Sequence, residues 1–327
     1  MADEDDSNPL HGDLTDEEDD EAKIVCAPMK DFIDKLRTGG IAQIESWHKE
    51  ILSRPPKFER FLQNMDKNRY PNVVLYDQNR VKLRDQYGLN AKDDYIHARW
   101  LDSYEQPRGC ICCQAPFNEA TERDFWRMCI MVKPVAILLL TPSTKKVKEK
   151  TKLAVHEFWP GERQSKPLEK TSVEIKCTSF DEDRDHDRYE IAIEEKGKEL
   201  SSFPFVQYKA WEEDKQIPVN LLDFRASIRI LLTQRIKELA NQKIGPFVLV
   251  CPTGAHRCGT YVGLDVVLDR VAAERKVGLS ETVALIRGQR FGTFVNFDHY
   301  TGVADIVVRH AVSSNIVNPD AIGKRNK

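Results

Sequence analysis

Pro246-Phe247-Val248-Leu249-Val250-Cys251-Pro252-Thr253-Gly254-Ala255-His256-Arg257-Cys258-Gly259-Thr260 is the stretch that decides how this 327-residue chain is read. A short continuous apolar run ends at a cysteine, passes through a glycine-containing turn and opens an amphipathic run, Tyr261 to Val271. The pattern is that of a buried strand feeding a helix. A buried strand between helices implies a single α/β domain, a central twisted mixed sheet flanked by helices. A turn of this kind aims successive backbone N–H groups at one spot, where the helix dipole adds positive potential. That geometry suits a tetrahedral oxyanion. No Gly-Lys-Ser/Thr follows, so it is not a nucleotide-binding phosphate loop.

A thiol at the base of such a loop is expected to have a lowered pKa, because N–H donors, the helix N-terminus and Arg257 all favour the thiolate. Cys251 could then attack phosphorus in line while Arg257 holds two oxygens bidentately. The plainer alternative for a cysteine with an arginine six residues on is a buried structural cysteine.

Working outward, Asn220 to Asn241, Gly259 to Arg275, Ser280 to Arg287 and His299 to Val312 carry helical spacing, as do Ile24 to Trp47, broken at Gly39-Gly40, and Glu50 to Gln63, broken at Pro55-Pro56. Strand patterns occupy Val73 to Leu75, Cys110 to Cys113, Val135 to Leu140, Leu153 to Phe158, Thr171 to Cys177, Asp187 to Glu194 and Phe205 to Ala210, with one helix-like piece, Asn118 to Val132, among them. No repeat and no Pro/Gly/Ser linker interrupts the chain. The expected organisation is an acidic disordered tail over 1–28, one domain over 29–312 and a basic tail over 313–327.

Net charge −3 conceals an asymmetry. The first 22 residues hold eleven acids and no Lys or Arg, which leaves 49 basic against 41 acidic residues in the remainder, a balance of +8. A basic body favours anionic ligands. The longest apolar run, Val135 to Leu140, is far short of the roughly 18 residues of a membrane span, and an Asp/Glu-rich N-terminus is the opposite of a signal peptide. Eight cysteines, three clustered as Cys110, Cys112 and Cys113, do not make a secreted-type framework, so a reducing, cytoplasmic location is expected.

Cys-x5-Arg at a strand-to-helix turn resembles the signature loop of the protein tyrosine phosphatases, in a non-receptor-like form with a degenerate loop. Other blocks fall in that family's order. Lys67-Asn68-Arg69-Tyr70 is similar to its phosphotyrosine-recognition loop and Asp94-Tyr95-Ile96-His97-Ala98 to its Asp-Tyr-Ile-Asn-Ala block. Gln114-Ala115-Pro116 with Asp124 to Met128, then Phe158-Trp159-Pro160, Trp211 to Pro218 and Gln289-Arg290-Phe291-Gly292 complete a series over Phe61 to Val312.

The resemblance implies a tyrosine-phosphatase-like fold, a tyrosine-phosphorylated protein as partner, and roles for particular residues. Cys251 would be the nucleophile and Arg257 the oxyanion clamp, with Pro252, Thr253, Gly254, Ala255, His256 and Cys258 lining the loop. Tyr70 matches the aromatic that stacks on phosphotyrosine, and Asn72 stands where the family has an Asp that grips the substrate backbone. In the acid loop, counting back from Pro218 selects Asp214 as general acid, whereas counting forward from Trp211 selects Glu213. Glu149 matches the glutamate that braces the loop arginine, and Gln289 opens the block whose water-positioning glutamine falls on Val295.

Several positions depart from the family pattern. Val250 replaces the histidine before the nucleophile, Pro252 brings no N–H, His256 replaces a glycine, and Cys258 replaces a hydroxyl residue. Val295 has no amide, and Asn296 is one residue off. Formation of a thiophosphoryl intermediate survives these losses better than its hydrolysis. The readings left standing are a phosphatase of weak turnover, a pseudophosphatase that binds and shields tyrosine segments, and an interaction domain using another surface. The Cys110-Cys112-Cys113 cluster lacks Cys-x2-Cys spacing and reads as strand packing, and His156-Glu157 makes no His-Glu-x-x-His helix. The basic runs Lys145 to Lys152 and Lys324 to Lys327 lack the interleaved aromatics of a nucleic-acid surface. Nothing implies a cofactor or a metal.

Overall fold

The computed structural model describes residues 27–51, 58–84, 94–143, 155–211, 216–240, 242–318 and 320. The chain runs β1 (Ala27–Pro28), α1 (Met29–Ile51), α2 (Glu59–Gln63), β2 (Arg80–Lys82), β3 (Tyr95–Leu101), β4 (Cys110–Gln114), α3 (Glu119–Val132) and β5 (Ala136–Leu139). It continues through β6 (Ser165–Pro167), β7 (Val173–Glu182), β8 (His186–Glu195), β9 (Lys198–Tyr208) and α4 (Leu221–Glu238). The last part is β10 (Phe247–Cys251), α5 (His256–Glu274), β11 (Lys276–Val277), α6 (Leu279–Gln289) and α7 (Phe297–Ser313).

Nine strands form one mixed sheet in the order β2-β3-β4-β10-β5-β9-β8-β7-β6, and β1 pairs with β11. β4, β10, β5 and β9 run parallel at the centre, and both flanks are antiparallel. The two innermost strands, β10 and β5, are apolar along their whole length because both faces are covered. The alternation is clean in the packing. Cys110, Cys112, Leu249 and Cys251 face the layer of α1 and α4 to α7, while Ile111, Cys113, Val248 and Val250 face α3 and the long β7–β9 hairpins. This is the expected α/β architecture.

The single helix among the strands starts where its cap dictates. The Asn118 side chain accepts the Thr121 N–H at 2.9 Å, and Thr121 Oγ1 accepts the Asn118 N–H at 3.1 Å. Other expectations shift. Val73 to Leu75 is not a strand, because the Val73 N–H closes a turn on Tyr70 and the Val73 and Val74 carbonyls accept from the side chains of His97 and Arg290. Of Leu153 to Phe158, the described part contributes only a single bridge, Val155 to Ser143. The break expected at Gly39-Gly40 is present: Gly40 leaves helical geometry (φ 51°, ψ −140°), so α1 is two helical pieces joined at a kink. Ala27 and Pro28, just before the expected domain, pair with β11, and Ile316 and Val317, just after it, lie against its core. The acidic run and the Lys324 to Lys327 end lie outside the described residues. Among the described residues, no helix is long and apolar enough to cross a membrane.

Candidate functional site

Cys251 is the last residue of the central strand, opposite Gln114 at the end of β4, and its carbonyl accepts the Ala115 N–H at 2.9 Å. The loop 252–255 then climbs to α5. Gly254 has φ +62°, and a Cβ there would lie 2.3 Å from the Gln114 nitrogen, so the loop closes against β4 only with glycine. Gly259 serves a second close approach, since its Cβ would lie 1.5 Å from Thr293 Cγ2. No side chain of the Ncap residue, Ala255, starts the helix; instead Thr253 Oγ1 accepts the N–H groups of Ala255 and His256, at 3.2 and 3.0 Å.

The Cys251 sulfur is fully buried, and its partners are polar. Burial alone would push its thiol up. Hydrogen bonds from the thiol and backbone N–H of Cys258, then from Thr253, together with the Arg257 charge, outweigh burial and bring Cys251 down to about 5 from its usual 9.0. Cys258 moves the other way, far above the usual thiol range, through burial and its bonds to Cys112 and Cys251. It therefore stays protonated and donates. Where the family pattern has a hydroxyl, Cys258 still offers the sulfur a donor, and its bonds are the first of the influences that oppose burial at Cys251.

Arg257, fully buried, donates from Nη1 to the Leu140 carbonyl at 3.0 Å, and its guanidinium carbon lies 5.8 Å from the centre of the Trp211 ring. Trp211, buried edge-on to His299, ends the described chain before the acid-bearing segment. Asp214, Glu213 and Glu149 lie outside the described residues. Pro252, Thr253, Gly254 and Ala255 are buried in the loop, and His256 is half-buried on the first turn of α5.

Tyr70 and Asn72 enter from a neighbouring segment. Tyr70 is half-buried with the Arg69 guanidinium 5.5 Å from its ring centre, and Asn72 is exposed. Gln114 ties this segment to the loop. Its Oε1 accepts the Arg69 N–H at 2.7 Å, its Nε2 donates to the Lys67 carbonyl at 3.2 Å, and its own backbone nitrogen abuts Gly254. Sequence reasoning quoted Gln114 without a role, and quoted Arg290 in the same way. Arg290 is buried behind the loop and donates to the carbonyls of Gly254 and Thr253. The signal for both was their place in the quoted blocks.

The protein-tyrosine phosphatase family model matches residues 64–309. The chain belongs to the protein-tyrosine phosphatase family. It is 30% identical over 257 residues to receptor-type tyrosine-protein phosphatase C of Rattus norvegicus, which covers 76% of this chain and 19% of that protein. Tyrosine-protein phosphatase Lar-like of Caenorhabditis elegans is 30% identical over 290 residues, 87% of this chain and 12% of the relative. Receptor-type tyrosine-protein phosphatase S of Gallus gallus is 29% identical over 263 residues, 78% of this chain and 16% of the relative. The chain thus spans about a fifth or less of the length of the curated relatives it matches.

Within this phosphatase-family domain the departures noted in the sequence acquire positions. Val250 lies on the α3 side of the sheet, on the opposite face from the Cys251 sulfur. Val295 is 42% exposed, and Asn296 Oδ1 accepts the Asp298 N–H at 3.0 Å to cap α7. Gln289 is bonded to Asp102 just after β3, accepting its N–H and donating to its carboxylate, whereas Arg290 of the same block hydrogen-bonds the Cys251 loop.

Proposed function

We propose that this domain binds phosphotyrosine of tyrosine-phosphorylated proteins at the Cys251 loop and dephosphorylates them through a cysteinyl-phosphate intermediate, with slow turnover. The observation that carries the reading is a buried sulfur held as thiolate beside the buried Arg257 at the end of a central parallel strand. In this scheme the Cys251 thiolate attacks phosphorus in line, the P–O bond to the phenol breaks, and the phenolic oxygen takes a proton from Asp214 or Glu213. Arg257 neutralises the equatorial oxygens, with Glu149 as its brace. Tyr70 walls the slot and Asn72 offers an acceptor to the substrate backbone. Water then attacks phosphorus, giving a proton to the carboxylate of Asp214 or Glu213, the S–P bond breaks to restore the Cys251 thiolate, and inorganic phosphate leaves. That second step is the slow one, because Val295 brings no amide to the attacking water and the Asn296 side-chain oxygen is engaged in capping α7. A reducing, cytoplasmic setting fits the seven described cysteines, all free and buried. We assign the domain to residues 29–312.

The same two residues support a second reading, a pseudophosphatase that binds and shields tyrosine segments without turnover. One experiment separates them. A phosphotyrosine peptide and an aryl phosphate are offered to the protein and to Cys251→Ser, and burst and steady-state product are both measured. A stoichiometric burst followed by slow turnover, both lost in Cys251→Ser, is expected. Binding without a burst would establish the pseudophosphatase; no binding at all would remove both readings.

A further inference from the structure

We propose that the Thr253 hydroxyl is an internal stand-in for a phosphate oxygen, so that an incoming phosphoryl group must displace it before the loop can grip. This rests on the loop being the anion site proposed above. The hydrogen bonds of the loop carry the inference. Pro252 has no N–H, and the Gly254 N–H is turned onto the Cys251 carbonyl at 3.1 Å. The Ala255 and His256 N–H groups both end on Thr253 Oγ1, at 3.2 and 3.0 Å, and that oxygen lies 3.6 Å from the Cys251 sulfur.

A hydroxyl has two lone pairs and one proton. Here two amides occupy the lone pairs, which leaves the proton for the thiolate. The hydroxyl thus receives the donors that an oxyanion would receive and supplies the sulfur with a donor that an oxyanion lacks. Thr253 is only 6% exposed, and its β-branched side chain is restricted to few χ1 wells, so it leaves the position by a discrete rotation with all three bonds broken together. The Gly254, Ala255 and His256 amides of the resting loop are satisfied without ligand. A stable thiolate and weak oxyanion affinity therefore have the same origin.

The test uses the full chain, with tungstate as the probe, in wild type, Thr253→Ala, Thr253→Ser and Thr253→Val. Tungstate affinity is measured by calorimetry above the Cys251 midpoint, and the Cys251 titration is followed by thiolate absorbance. Thr253→Ala frees two amides and is expected to bind tungstate about tenfold more tightly, roughly the worth of one net hydrogen bond. Its Cys251 midpoint is expected to rise as a donor is lost. Thr253→Ser should keep wild-type behaviour on both readouts, and Thr253→Val, which keeps the bulk without the hydroxyl, should raise the midpoint without the gain in affinity. Tighter anion binding together with a less stable thiolate is a combination that mere loosening of the loop does not produce. Thr253→Gly repeats the test should the alanine variant not fold. If wild type binds tungstate and neither Thr253→Ala nor Thr253→Gly binds it better, the stand-in is overturned while the anion site survives. If no form binds tungstate, both fall.

Discussion

Arg290 donates from Nε to the Gly254 carbonyl at 2.8 Å. Because the peptide unit is planar and trans, drawing that carbonyl back turns the next N–H, that of Ala255, the opposite way, into the loop above Cys251. The same guanidinium donates to the carbonyls of Thr253, at 3.1 Å, and Val74, at 3.1 Å, and to Nδ1 of His97. Burial and the Arg290 charge depress His97 to about 3, so its ring is neutral, accepting at Nδ1 and donating from Nε2 to the Val73 carbonyl at 2.9 Å. One buried cation thus joins the thiol loop to the segment that follows Tyr70.

Arg290→Lys is expected to lower stability by about 3 kcal/mol or more in urea unfolding, since one ammonium cannot span acceptors laid out for a planar fork and buried carbonyls left unpaired cost about 1–3 kcal/mol each. The Cys251 midpoint should rise in the same variant. Unchanged stability would show that the carbonyls find other donors.

Cys258→Ala removes the foremost donor to the Cys251 sulfur. Its Cys251 midpoint, read as thiolate absorbance against Cys251→Ser, is expected to rise from about 5 by at least about one pH unit, as a hydrogen bond to a charged group is worth about 1.5–3 kcal/mol. The sign of the stability effect follows. A thiol whose folded pKa is depressed adds stability as pH rises from about 5 to the unfolded thiol's value near 9 and loses it as pH falls through 5. Cys258→Ala should start that rise at a higher pH and so reduce its total, and Cys251→Ser should abolish this residue's share of it.

Gln114→Ala should weaken phosphotyrosine-peptide binding about tenfold, because two bonds holding Lys67 and Arg69 beside the loop are lost. The Cys251 titration should not move, as the amide does not touch the sulfur. A large shift in that titration would mean that Gln114 supports the loop itself.

Val295→Gln tests the slow second step. If hydrolysis of the cysteinyl phosphate limits turnover for want of a water-positioning amide, steady-state turnover of an aryl phosphate should rise by about tenfold or more while the burst keeps its size. A variant with unchanged steady state would place the block elsewhere.

Much of this protein was legible in one dimension. The apolar run Pro246 to Val250, the glycine turn and the helical spacing after it are local patterns, and they sufficed for a central strand delivering Cys251 and Arg257 to one loop. Collinear blocks did the same for the family. The misreadings fell where side chains from distant segments take over backbone groups. Val73 and Val74 have strand-forming side chains, yet His97 and Arg290, far along the chain, claim their carbonyls. For Cys258 the sequence showed a thiol in place of a hydroxyl, and the fold adds that burial and Cys112 keep that thiol protonated, so that it is a donor. Thr253 is the sharpest case, because sequence allows a threonine to accept from amides two and three residues on but does not say that it does so here, within reach of the Cys251 sulfur. Sequence alone determined which groups are delivered to the site, since periodicity and turn chemistry act over a few residues. The direction of each donor, acceptor and charge was decided only in the tertiary structure, where hydrogen bonds and desolvation depend on neighbours brought together from across the chain.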